Sequence, residues 1–407
     1  MGVSNHWFLM PSPPTHHQKF ARNETVRESW NALQWLSKLV AHDTTSSKSN
    51  LLLIEEIETY LQSWGFICQK SFDDDKRKAN LLATIGDPTR AGIMFSGHTD
   101  VVPVSGQSWS SDPFQLSIRG ARAYGRGTCD MKGFLAVLLK MVPDWVRVAD
   151  QQTTHLAFSY DEEIGCVGAR RLVPLISNLP TLPKGCIVGE PTSMRLILGH
   201  KGKSSYHVNV RGCECHSSMP EDGVNAVEIA AELIYTLSQQ AKVQRTREGD
   251  HRFDPPYTTI HTGTVHGGTA LNIVPGACAF DFEMRHLPWE DPASLLTHLD
   301  DQSRRILDER AQGFDQAKVQ FDMRSSYPGL LTQENQPFVT QIKKALGTSD
   351  QSFVSFGTEA GLYSQAGIPT VVLGPGAISQ AHKPDEFVEL GQLIKCEAVL
   401  TKLLTAG

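Results

Sequence analysis

Histidine and carboxylate side chains recur in this chain just beyond short apolar runs. Ile93-Met94-Phe95 leads into Gly97-His98-Thr99-Asp100, and Leu156-Ala157-Phe158 leads into Asp161-Glu162-Glu163. Cys186-Ile187-Val188 precedes Gly189-Glu190, and Val371-Val372-Leu373 precedes the loop that ends at His382. Gly125-Arg126-Gly127-Thr128-Cys129-Asp130 supplies a further carboxylate between the first two. A buried parallel strand reads as a short apolar run, and open α/β sheets bind ligands at the carboxyl ends of such strands. His, Asp and Glu delivered to one rim would build a hydrolytic metal site.

Each signal also has an ordinary structural reading. His98 and Asp100 are two residues apart, so on an extended segment both point the same way, and a carboxylate can hold the second nitrogen of a ligating imidazole. A lone His-x-Asp pair is equally a core pair. Asp130 in its glycine-flanked turn could be a cap, Glu190 a loop carboxylate and His382 a surface histidine. Asp161-Glu162-Glu163 says more, because three consecutive carboxylates repel one another at a sheet end without a counter-charge. A divalent cation would supply it, one glutamate ligating while its neighbour moves a proton; a solvated acidic loop is the alternative. Agreement in position is what strengthens the set.

The elements that must place these residues follow from periodicity. Thr25-Val26-Arg27-Glu28 fits a capping box, with Val26, Trp30, Leu33 and Val40 at near-helical spacing. A second helix is predicted over 51–64, stopping at Gly65. Strands and helices then alternate to about Gly199, which indicates a largely parallel sheet covered on both faces. From about His200 the pattern changes. Ser205–Val210 and Cys278–Arg285 alternate with period two, as half-exposed antiparallel strands do. Helices over 226–237 and 292–310 and a strand over 319–323 complete an α+β unit. After about Gly329 a helix, an apolar strand and a final helix return. The expected organisation is a flexible leader over 1–22, a metal-binding catalytic domain over 23–199 and 329–407, and an inserted lid or dimerisation domain over 200–328.

At 407 residues the chain is longer than one core usually grows. Its formal charge of −6 lends no support to nucleic acid as a partner. No apolar run approaches the roughly 20 residues that would span a bilayer. The first ten residues do not read as a secretory signal, and His6 stands where a myristoylation site needs Ser or Thr. Eight scattered cysteines suit reduced thiols in a cytoplasm. Cys213-Glu214-Cys215-His216 offers too few ligands for a metal and reads as a strand.

Three segments together resemble a known family: Ser96-Gly97-His98-Thr99-Asp100-Val101-Val102-Pro103, Tyr124–Gly133 with its Gly-Arg-Gly-Thr-Cys-Asp-Met-Lys-Gly, and Asp161-Glu162-Glu163. They are similar to the metallopeptidase-like (M20) deacylases, which use co-catalytic metals on a zinc-exopeptidase-like α/β fold. Gly357-Thr358-Glu359-Ala360, Val372–Gly376 and Gln380–Phe387 point to the acetylornithine-cleaving branch.

The resemblance implies that Asp130 bridges two divalent ions, zinc by default, with cobalt or manganese also suited to nitrogen and oxygen donors. His98 and Glu190 would complete one site, and Glu163 and His382 the other. Asp100 would orient His98, and Glu162 would be the general base. A cis peptide is expected at Asp130-Met131. His216 would cross a homodimer interface to steady the substrate carbonyl. Asn272, Arg285, Gly357, Thr358 and Glu359 would contact substrate, Arg285 through a bidentate carboxylate pair or merely paired with Glu283. Glu359 would hold a cationic amine. The implied reaction is hydrolysis of N-acetyl-L-ornithine, in arginine biosynthesis. Alternatives are another small N-acyl amino acid (acetylcitrulline, succinyl-diaminopimelate or an N-formyl derivative) or a dinuclear-metal dipeptidase.

Overall fold

The computed structural model describes residues 30–405. The expected leader and the Thr25–Glu28 capping box lie outside them. The first described helix, Ala32–Ala41, starts instead from Asn31, whose Oδ1 accepts from Gln34 N while Gln34 Oε1 accepts from Asn31 N. That reciprocal pair satisfies two donors that a helix start otherwise leaves open. The buried stripe of this helix is Trp35, Leu36, Leu39 and Val40, one step round from the Trp30, Leu33 and Val40 spacing.

A nine-stranded sheet organises most of the chain. Its four central strands, Thr154–Ser159, Ile93–His98, Gly185–Val188 and Thr370–Val372, run parallel in that order. Antiparallel partners flank them: Ala79–Ile85 and Ile67–Phe72 on one side, Ile197–His200 and Leu330–Leu331 on the other. The α/β class is as expected, and the antiparallel flanks are what the apolar runs alone did not distinguish.

Side chains of the central strands alternate between two cores. Ile93, Phe95, Leu156, Phe158, Ile187 and Val371 pack with the helices Ala32–Ala41, Leu51–Ser63, Lys132–Lys140 and Leu390–Thr405. Met94, Ala157, Cys186, Val188 and Val372 pack on the opposite face with Val167–Ser177 and Ala360–Gln365. Both faces are buried, so apolar residues fill consecutive positions, as in Ile93-Met94-Phe95, Leu156-Ala157-Phe158 and Cys186-Ile187-Val188, rather than every second one. Their carboxyl ends are where polar residues can resume.

Residues 202–327 contain a separate antiparallel sheet, ordered Thr259–Gly267, Ala277–His286, Gly202–Arg211 and Lys318–Tyr327. Helices Ala226–Thr246 and Ala293–Arg310 cover one face around Tyr206, Val208, Phe280 and Phe282. The edge strand Thr259–Gly267 has no counterpart among the elements expected from periodicity. It is mostly exposed and polar, so it lacks the apolar alternation that marks a half-buried strand. A two-stranded ribbon joins Cys215–His216 to Ile273–Val274.

All eight cysteines are free. Cys213 and Cys215 are half-buried and belong to no metal-compatible group among the described residues. No helix among the described residues is long and apolar enough to cross a membrane.

Candidate metal centre

His98 is the last residue of its strand, and Asp130 sits just before the helix Lys132–Lys140. Their side chains meet, His98 Nε2 lying 3.0 Å from Asp130 Oδ1, with Glu190 Oε1 3.7 Å from the same nitrogen. The other oxygen of Asp130, Oδ2, lies 3.4 Å from His382 Nε2, which is also 3.0 Å from Glu163 Oε2. Two metal-compatible groups result, His98–Asp130–Glu190 and Asp130–Glu163–His382, and they share Asp130. The Asp130-Met131 peptide is cis.

Electrostatics shows what these groups lack. Burial, reinforced by neighbouring carboxylates, pushes Glu162 up to about 8 and Glu163 up to about 7. The same burial raises Glu190 well above the ordinary carboxylate range. Asp130 is also desolvated, yet the imidazoles of His382 and His98 hold it low. Hydrogen bonds to Asp130 and Glu163 raise His382 to about 10. Buried carboxylates are thus compensated only by protons on imidazole and on one another. The ion pairs that Asp130, Glu163 and Glu190 make are with His98 and His382, with no lysine or arginine among the described residues. Oxygen and nitrogen donors crowded around a shared carboxylate without a fixed cation fit two divalent ions.

Neighbouring groups hold the donors in place. His98 Nδ1 faces the Asp100 backbone carbonyl at 2.9 Å and the Asp100 carboxylate only at 3.6 Å. The Asp100 carboxylate instead accepts from Ser46 Oγ and from the backbone N–H groups of Glu162 and Glu163. Asp100 therefore orients His98 through its main chain and pins the glutamate turn through its side chain. Asp161, in left-handed conformation at φ 52°, pairs with Lys78 Nζ at 2.6 Å. A buried Glu386 carboxylate accepts from Gly127, Cys129 and Asp130 N–H and from Arg126. Arg126 reaches Gln107, whose Nε2 donates to the His382 carbonyl, so the two ligand loops are laced together.

Residues 94–406 match the family described as Peptidase family M20/M25/M40. The chain belongs to that family. Acetylornithine deacetylase of Proteus mirabilis (strain HI4320) is 34% identical over 385 residues, covering 93% of this chain and 96% of that protein. Acetylornithine deacetylase of Myxococcus xanthus is 34% identical over 374 residues, 90% of this chain and 95% of the other. Among solved structures, an M20 family metallo-carboxypeptidase from Sulfolobus solfataricus has a TM-score of 0.72 at 19% identity, covering 92% of this chain and 98% of its own. Aminopeptidase PepT from Bacillus cereus has a TM-score of 0.71 at 20% identity over the same shares. This M20 protein is a metal-dependent hydrolase of mixed α/β fold with a mostly parallel central sheet.

A cavity of about 280 Å³ opens on the cluster of this M20 enzyme, and Glu162, Glu163, Glu190 and His382 line it together with Arg285 and Gly357. Arg285 pairs with Glu283 at 3.1 Å and also lines the cavity. Thr358 and Glu359 are not part of this wall. Thr358 Oγ1 accepts from Ala360 N at the start of the helix Ala360–Gln365 and lies 3.1 Å from His200 Nε2. Glu359 is fully buried, its carboxylate taken by Ser96 Oγ and Ser159 Oγ at 2.6 Å each. The expectation that Glu359 holds a substrate amine does not fit that enclosure. His216 and Asn272 are exposed at the two-stranded ribbon, His216 bonded to Ser218, and neither lines the cavity of its own chain. Glu386 and Lys203 were given no role by the sequence. Glu386 stood within the Gln380–Phe387 motif; Lys203 needed the register of three strands to be noticed.

Proposed function

We propose that the chain deacylates small N-acyl-L-amino acids, with N-acetyl-L-ornithine the first candidate, releasing ornithine and acetate. Relatives named for that deacetylation, aligned over nine-tenths of the chain, support this reading. The observation that carries it is the shared carboxylate: Asp130 turns one oxygen toward each imidazole, beside a half-buried Glu162 in the same cavity.

His98, Asp130 and Glu190 would hold one divalent ion, and Asp130, Glu163 and His382 the other, zinc by preference over cobalt or manganese. Such ions polarise a scissile carbonyl and lower the pKa of a bound water toward neutrality. Glu162, which lines the same cavity, would be ionised by the nearby cations and so able to take the proton of that water and return it to the leaving amine. Arg285 receives the substrate carboxylate. Residues 200–328 act as the inserted lid and dimerisation unit. A homodimer belongs to the reading, because the exposed His216 and Asn272 do not line the metal-site cavity of their own chain. Cytoplasmic arginine biosynthesis is the setting that fits this substrate.

Glu162→Ala tests the assignment directly. Turnover of N-acetyl-L-ornithine by the zinc-loaded protein should fall by about 10²–10⁴-fold while two metals per chain remain. Parallel loss of metal would make Glu162 a ligand and remove it as the base. The enclosure of Glu359 favours a second reading, in which an N-acyl amino acid with a neutral side chain is used at least as well. Relative kcat/KM for N-acetylornithine, N-acetylcitrulline and a free dipeptide decides between the two and exposes a peptidase.

A further inference from the structure

Three adjacent strands place a row of polar groups on the open face of the four-stranded sheet. Lys203 is the Cα partner of Arg285 on one side and of Tyr327 on the other. Alternation along Gly202–Arg211 buries Ser204, Tyr206, Val208 and Val210 and turns Lys203 and Ser205 the opposite way. Lys203, Arg285, Ser325 and Tyr327 all line the cavity that contains Glu162 and the ligand cluster.

Charge on this wall does not cancel. Glu283 lies between the two cations, with Oε2 3.0 Å from Lys203 Nζ and Oε1 3.1 Å from Arg285 Nε. One carboxylate therefore faces two full positive charges. The bond to Glu283 uses Arg285 Nε, so the terminal guanidinium nitrogens are not engaged in it, and an ammonium carries three donors. Every carboxylate lining the cavity belongs to the metal cluster or is Glu162. Outside the metal cluster, Lys203 and Arg285 are the cations on the cavity lining, so an anionic group of the substrate that lies beyond the metals is matched at this wall.

We propose that Lys203 acts with Arg285 as a paired-cation seat for the α-carboxylate of the substrate, with Glu283 holding the two cations at fixed spacing. This rests on the deacylase reading and adds its selectivity: the substrate class is N-acyl amino acids with a free carboxylate, and their amides are poor. Specificity is set at the carboxylate, where charge-assisted bonds are strong, rather than at the side-chain amine that Glu359 cannot reach.

The test uses full-length, zinc-loaded protein with N-acetyl-L-ornithine and its C-terminal carboxamide. Wild-type protein should prefer the carboxylate by about 10–100-fold in kcat/KM. Lys203→Met should remove most of that preference, mainly through KM, and leave the carboxamide rate near wild type. Lys203→Arg should restore a large part of it. The carboxamide is the folding control, because damage to the fold would depress both substrates equally. Equal loss on both substrates, or no loss on either, overturns the seat. A wild-type protein that prefers neither substrate, yet hydrolyses both, also overturns it and leaves the deacylase reading standing. Hydrolysis of neither by wild type removes that reading and this inference together.

Discussion

The Glu386 carboxylate accepts the backbone N–H groups of Gly127, Cys129 and Asp130 at 2.8–3.0 Å and Arg126 Nη1 at 2.7 Å. Both members of the ion pair are 1% exposed, so water cannot replace either partner. Removing one member of a buried pair strands the other, at a cost of about 3–5 kcal/mol. Glu386→Ala should therefore lower unfolding stability in urea by about that amount. Because three of the lost bonds come from the loop that carries Asp130, metal content measured at saturating zinc should also drop below two per chain. Full metal content with an unchanged midpoint would show that the loop holds Asp130 unaided. His98, Asp130, Glu163, Glu190 and His382 were legible because each donor-bearing residue follows an apolar run or a glycine turn. Glu386 was not, since its value lies in bonds to residues some 256–260 positions away. Glu359 misled for the converse reason: a charged residue in a polar tetrapeptide gives no sign of the two serines that enclose it.

Between elements, one close approach joins the glutamate turn to the strand Lys318–Tyr327. Gly165 donates to the Glu162 carbonyl at 2.9 Å and has φ +116°, and a Cβ there would lie 2.5 Å from Ser325 Cβ. Gly165→Ala must adopt a backbone that suits glycine and also push the turn from the strand. Stability should fall by about 1–3 kcal/mol, and kcat/KM should fall with it, because Glu162 and Ser325 line one cavity. Gly313→Ala is the comparison: φ is +83°, but the space around it is open, so activity should stay at wild type. Equal kinetics for the two variants would mean that the Gly165 contact does not position the turn. The apolar runs showed where the parallel strands lie because burial on both faces demands them. Thr259–Gly267 was invisible because its face is polar and exposed, and hydrogen bonding to Ala277–His286 rather than side-chain pattern makes it a strand. Likewise, Ile67–Phe72 joins the sheet by pairing with Ala79–Ile85 while remaining largely solvent-facing.

Over the whole molecule, the cluster links metal binding to stability and pH. Glu162 and Glu163 are raised by burial to about 8 and about 7, against an ordinary 4.5. Below 4.5 they are protonated in both folded and unfolded chains and cost nothing. Between there and 7–8 the unfolded chain releases protons that the metal-free fold retains, so stability falls as pH rises. His382 has the same sign. Raised to about 10 by Asp130 and Glu163, it stabilises the fold fully below 6.5 and loses that contribution as pH climbs toward 10. Divalent ions reverse the trend, because ionised carboxylates and neutral imidazoles are the forms they bind. Chelator-treated protein should therefore melt lower at pH 8 than at pH 6. The difference should be roughly several degrees, since each tenfold change in proton affinity between folded and unfolded chain is worth about 1.4 kcal/mol. Zinc-saturated protein should show a flat or opposite trend, so the gap between the two widens with pH. Differential scanning fluorimetry at pH 6, 7 and 8, with and without metal, measures this. A chelated midpoint that rises across the range would mean that the buried glutamates ionise freely without a cation, and the case for metal built on their burial would fail with them.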